Sequence, residues 1–253
     1  MNVVLVGAGN VATQLGMALK NAGHEIMQVY SRTGESAAAL AEKLECPYTV
    51  RLDELSDKAE LYLFSLKDAV LPDVVASMKP NGGLWVHTAG SMPMNLFKGY
   101  ARRYGVLYPM QTFSKIRAVD FRSIPFFIEA NGEEDMMLLK QILRGITEKV
   151  YVLPSEKRKY LHLAAVFACN FTNHMYRLSE KLLEEEGIPF EVMLPLIDET
   201  AAKVHELSPA KAQTGPAVRY DLNVIDRHLS MLKTERFKEI YRLLSENIHE
   251  EAK

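Results

Sequence analysis

Val3-Val4-Leu5-Val6-Gly7-Ala8-Gly9-Asn10-Val11-Ala12 runs from an apolar strand candidate into a G-x-G-x-x-A turn, and a helix-like segment follows over residues 13–21. Gly7 suits the tight turn. Gly9, lacking a Cβ, lets a pyrophosphate approach the backbone, while Ala12 stands where the third glycine would allow helix and strand to pack closely. Asn10, Val11 and Ala12 open the helix, whose unpaired N–H groups and dipole favour a phosphate. The alternative is a glycine turn kept for packing alone.

A second strand candidate covers residues 25–30 and ends in Tyr30-Ser31-Arg32-Thr33. An NAD site would place a carboxylate about 20 residues beyond the glycines to hold the ribose 2′-hydroxyl. None is present here. Arg32 flanked by Ser31 and Thr33 is instead the chemistry of a 2′-phosphate, which a guanidinium grips bidentately, so NADP(H) is expected over NAD. Otherwise Arg32 lies on a solvated surface.

Further apolar runs at residues 61–65, 84–87, 105–108, 126–129 and 150–153 continue the rhythm of strands alternating with helical segments. Parallel strands need such crossovers, so the expected fold class is α/β, a Rossmann-type, doubly wound, mainly parallel sheet. After Pro154 the pattern becomes helical over residues 157–186, 190–206, 221–233 and 235–249, with a loop-forming stretch over 207–220. The expected domains are residues 1–154, binding the dinucleotide, and a smaller all-α domain, residues 155–253.

Composition fits an ordinary globular protein: 253 residues, 48% hydrophobic and 25% charged. A net charge of −2 supplies no bulk field for nucleic acid or an anionic membrane. Cys46 and Cys169 are too few for a disulfide framework and lack C-x-x-C spacing, pointing to a reducing compartment, with cytoplasm the expectation. No export signal is visible, and no apolar stretch reaches the roughly 18 residues that a membrane helix needs.

Ligands of open α/β sheets lie beyond the carboxyl ends of the strands. Ser65 and Leu66, then His87, Thr88, Ala89, Gly90 and Ser91, then Gln111 and Thr112 therefore become candidates to line a nicotinamide and substrate pocket. Small polar residues after strands are also ordinary turn formers. On the long helix, a 100° step places His162, Val166, Cys169 and Asn173 near one line, with Asn170 some 80° from His162. If buried there, His162 and the asparagines need a hydrogen-bond partner or a ligand, and satisfied core residues or a dimer contact would serve equally. Arg219 is a candidate anchor for an anionic substrate or a member of an ion pair, and Asp221 a candidate helix cap. No four-ligand zinc set is apparent, and no metal is expected.

Taken together, Gly7 to Ala12, His87 to Ser91, Tyr108-Pro109-Met110-Gln111-Thr112-Phe113, His162 with Val166 to Asn170, and Thr214 to Asp221 resemble a family of Rossmann-like NADP-dependent or deazaflavin-dependent oxidoreductases with a helical C-terminal domain. The layout is also similar to pyrroline-5-carboxylate reductase, ketopantoate reductase and the 6-phosphogluconate dehydrogenase superfamily. That resemblance implies hydride transfer between nicotinamide and a small carbonyl or imine at an interdomain cleft. It also implies a homodimer through the helical domain. The catalytic lysine of the hydroxyacid dehydrogenases, one turn before an asparagine, has no counterpart: if Asn170 is that asparagine, Val166 holds the position. His162 or His87 is then the candidate acid, with Asn170, Ser91 or Gln111 positioning substrate oxygen. A non-catalytic NADP-binding regulator is the alternative.

Overall fold

Eight strands form one sheet in the computed structural model, which describes residues 1–253: β1 (Asn2–Val6), β2 (Glu25–Tyr30), β3 (Tyr48–Thr49), β4 (Leu61–Phe64), β5 (Leu84–His87), β6 (Arg103–Pro109), β7 (Phe126–Ala130) and β8 (Val150–Val152). Their order is β3-β2-β1-β4-β5-β6-β7-β8, and every neighbouring pair is parallel except β6 and β7. Strands β4 and β5 are buried along their whole length, as is β1 from Val3 onward, because helices cover both faces of the sheet. Their sequences therefore read as continuous apolar runs instead of alternating ones.

Alternation reappears in the core. Val3, Leu5, Leu61, Leu63 and Val86 face one layer, packed with residues of α1 (Asn10–Asn21), α2 (Gly34–Leu44) and, further along, α4 (Glu133–Leu143). Val4, Val6, Tyr62, Phe64 and Trp85 face the other, packed with α3 (Leu71–Ser77) and Phe97. Successive Cβ atoms of a strand point to opposite faces, which sorts the two sets. The two-residue β3 carries too little pattern to be read from sequence.

The long helix expected over residues 157–186 is interrupted. It runs as α5 (Ser155–Ala165), a π-helical turn over Val166–Phe171, and α6 (Thr172–Glu185). A π turn inserts an extra residue, so the 100° step does not carry from His162 to Cys169, Asn170 or Asn173. All residues from Phe167 to Phe171 are exposed, as is Asn173, because this turn is covered on no side. The helix expected over 190–206 begins as a 3₁₀ turn, Phe190–Met193, and becomes α7 (Leu194–Lys203). The stretch expected as a loop, 207–220, contains α8 (Pro209–Ala212) and α9 (Pro216–Arg219), each opened by a proline whose missing N–H costs nothing there. Asp221 caps α10 (Leu222–Met231) by accepting from the Val224 N–H, and Thr234 caps α11 (Glu235–Glu251) through Phe237.

Two compact units emerge, Met1–His174 and Met175–Lys253. The first extends beyond Pro154, where the sequence places the boundary, because α5 is bonded into the sheet domain. Ser155 Oγ accepts from the Met94 N–H at 2.8 Å and donates to Glu129 Oε2 at 2.6 Å, and buried Arg158 pairs with the same carboxylate at 2.8 Å. No helix is long and apolar enough to cross a membrane.

Candidate functional site: a dinucleotide cleft and an imidazole at the strand ends

The turn after β1 is shaped for a close ligand. Gly7 has φ +123°, and a Cβ there would lie 2.4 Å from the Ser65 carbonyl oxygen, so no other residue fits. Gly9 differs: a Cβ would meet nothing within 4 Å, which leaves its face open to a phosphate. No side chain caps α1 and its first turn has no acid, so its leading N–H groups remain available. Ala12 is fully buried under this turn.

A cleft of about 340 Å3 runs from the turn along the end of β2. Gly7, Gly9, Ser31, Arg32, Thr33, Ser65 and Leu66 all line it, as the sequence suggests. Arg32 is exposed and has no ion-pair partner, leaving its guanidinium free. Two lining residues escaped the sequence reading. Ser36, in the first turn of α2, was signalled by its place four residues after Arg32; Lys115, from a distant loop, carried no local signal. Asn10 opens α1 as expected, with its backbone N–H at the helix start, while its side-chain amide donates to the Phe113 carbonyl at 2.9 Å.

Past the end of β5, Thr88 is buried and its hydroxyl lies 3.3 Å from that of Ser65, Ala89 is partly covered, and Gly90 is buried. A Cβ on Gly90 would come within 2.6 Å of His162 Cγ and Nδ1, so glycine at this position lets the imidazole sit directly against the strand end. His162 Nδ1 is 3.1 Å from the Tyr108 hydroxyl, at the end of β6. Burial raises the Tyr108 pKa and keeps the phenol protonated, an effect that the positive charge of Arg158 partly offsets. Tyr108 belongs to one of the segments that carry the resemblance, but its pairing with His162, 54 positions away, leaves no local signal.

His87 does not fit the role of acid. It is fully buried, its Nδ1 accepts from the Ala89 N–H at 3.2 Å, and its Nε2 has no partner. Burial first, and the charge of Arg158 second, push its pKa down to about 3, so it is neutral at physiological pH. Ser91 is exposed and donates to Asp68 Oδ2. Gln111, Thr112 and Asn173 come together around a separate pocket of about 570 Å3, which Arg117 also lines. Asn170 lies exposed on the π turn. Arg219 lies in the second unit, exposed and without an ion pair, so the ion-pair alternative does not hold.

Residues 2–88 match the family model described as NADP oxidoreductase coenzyme F420-dependent, and residues 124–248 match a domain of unknown function, DUF2520. No curated protein matches the chain. A crystal structure from Bacteroides fragilis, described as a putative NADP oxidoreductase, is 56% identical over 98% of each chain, with a TM-score of 0.93. A reductive aminase from Aspergillus terreus, solved with NADPH and ethyl levulinate, is 16% identical over 98% of this chain and 94% of that one, TM-score 0.75. The 1-pyrroline-5-carboxylate reductase of Streptococcus pyogenes is 14% identical over 100% and 98%, TM-score 0.68. At such identities these two share the fold alone. The open glycine turn and the free arginine after β2 fit the coenzyme named by the family, and the chain belongs to the NADP oxidoreductases that join an F420-dependent-type nucleotide domain to DUF2520.

Proposed function

We propose that this protein moves a hydride between NADP(H) and a small carbonyl or imine, with His162 as the proton donor. The observation that carries this reading is the imidazole seated against Gly90 at the carboxyl end of β5, where a Rossmann fold presents its ligand. When bound, the nicotinamide supplies or accepts the hydride. As the substrate carbon gains it, the attached oxygen or nitrogen needs a proton, which an imidazole gives near neutral pH. The Tyr108 hydroxyl holds the ring through Nδ1, so Nε2 would be the nitrogen that serves the substrate. In this reading Ser91 and Asn170 would orient the substrate heteroatom, while Gln111, Thr112 and Asn173 would hold a remote part of the molecule.

The assay is NADPH oxidation with a panel of small keto acids, imines and flavin analogues. His162→Gln should lower kcat by about a hundredfold or more while NADPH affinity stays the same. An unchanged kcat would remove His162 from the chemistry. Failure of every compound would favour the alternative, a nucleotide-binding regulator.

Met175–Lys253, we also propose, pairs with a second copy of itself. Within this unit only Ala217, Ile225 and Ser245 are buried, whereas Leu194, Leu196, Leu222, Met231, Leu243 and Leu244 are exposed. A helical unit this small is short of core, and so much exposed apolar surface favours association.

A further inference from the structure

We propose that Lys115 is a ligand of the coenzyme's phosphates, held over the cleft by a loop that the nucleotide-binding helix itself clasps. The proposal rests on the coenzyme occupying the cleft that contains Gly9 and Arg32. The loop follows β6, and its root is packed: Phe113 stacks on Phe121 at 5.8 Å, and Phe121 lies 6.1 Å from Phe126 in the core. Its tip is clasped by α1. Asn10 Nδ2 donates to the Phe113 carbonyl at 2.9 Å, and Gln14 Nε2 donates to the carbonyls of Ser114 at 2.7 Å and Arg117 at 3.1 Å. Ser114 Oγ then accepts from the Ile116 and Arg117 N–H groups at 3.2 and 3.3 Å, closing a tight turn.

The backbone is thus pinned on both sides of Lys115. The lysine side chain lines the same cleft as Gly9 and Arg32 and makes no hydrogen bond or ion pair. Three hydrogen bonds from the first two turns of α1 fix the loop that carries this unpaired ammonium. Those turns begin with the amides that face a phosphate, so the helix and the lysine present positive charge to one anion from two directions. A loop serving only to cover the sheet edge would need neither the clasp nor a free cation at the cleft. Ile116, beside it, is 96% exposed, so this turn is not held by burial of its own side chains.

The test is titration of NADPH and NADH into the protein and its Lys115→Met, Lys115→Arg, Gln14→Ala, Arg32→Gln and combined Gln14→Ala/Lys115→Met variants, at low and high salt. Lys115→Met should weaken NADPH by about tenfold at low salt, with Lys115→Arg retaining most of the affinity. Added salt should weaken the wild type more than Lys115→Met. Gln14→Ala should weaken NADPH and lose its effect once Lys115 is replaced, since the clasp acts through the lysine. Equal losses for NADH and NADPH assign the contact to the diphosphate, and a loss for NADPH alone assigns it to the 2′-phosphate. If Lys115→Met binds both nucleotides as the wild type does while Arg32→Gln weakens NADPH, the proposal falls and the cleft stands. If neither variant changes binding, both fall.

Discussion

His87 ends β5 sealed from solvent, with its Nδ1 accepting from the Ala89 N–H, its Nε2 unpaired, and the Phe97 ring 5.6 Å away. Its pKa is about 3 in the folded protein against 6.5 for a free histidine. Between those values the unfolded chain takes up a proton that the folded chain refuses. The contribution of His87 is therefore fully present above pH about 6.5 and is lost as the pH falls. From about pH 7.5 to 4.5 the loss amounts to about 3 kcal/mol, because each unit of unequal protonation is worth about 1.4 kcal/mol. The figure is insensitive to the folded-state value, since pH 4.5 lies above it.

His87→Asn provides the comparison: its amide oxygen can still accept from Ala89, and it does not titrate. Trp85, the single tryptophan and two residues away on β5, reports unfolding of this unit by fluorescence. Denaturant curves should show wild type losing about 3 kcal/mol more than His87→Asn on acidification to about pH 4.5, because the carboxylate contributions are common to both and cancel. Parallel acid limbs would refute the reasoning and mean that His87 is hydrated or protonated in the folded state.

Arg32→Gln should weaken NADPH by about tenfold or more and leave NADH nearly unchanged, since only the former carries a 2′-phosphate; equal losses in parallel titrations would contradict that assignment. Arg158→Met should destabilise the first unit by about 3 kcal/mol or more, because it strands Glu129 and removes a buried charge pair that also bonds the Met92 carbonyl. Trp85 unfolding at the wild-type denaturant concentration would show that the pair contributes nothing. Light scattering at micromolar concentration should give twice the mass of one chain; a monomer would mean that the exposed leucines of Met175–Lys253 have no partner copy.

Much of the nucleotide half was legible. The runs at Val3, Leu61 and Leu84 are central parallel strands, and strands buried on both faces must be apolar throughout. The place of Arg32 in the cleft was readable because it depends on a local feature, the end of the strand after the glycine turn. The line expected from His162 to Asn173 does not form, because a π turn with no marker in its residues breaks the 100° step and the helix is exposed all round from Phe167 to Phe171. His87 looked like an acid from its residue type alone; burial under Phe97 and the nearby charge of Arg158 make it a neutral wall residue.

The amino-acid order alone determined the βαβ rhythm, the dinucleotide turn and the coenzyme preference, because those features depend on neighbours within a turn or a strand. Tertiary structure decided which imidazole reaches the strand ends, that Tyr108 holds it, and that Lys115 enters the cleft through a loop tied to Asn10 and Gln14. Each of these joins residues 54 or more positions apart, and such pairings are set by how helices pack on the sheet, a long-range outcome that no local pattern records.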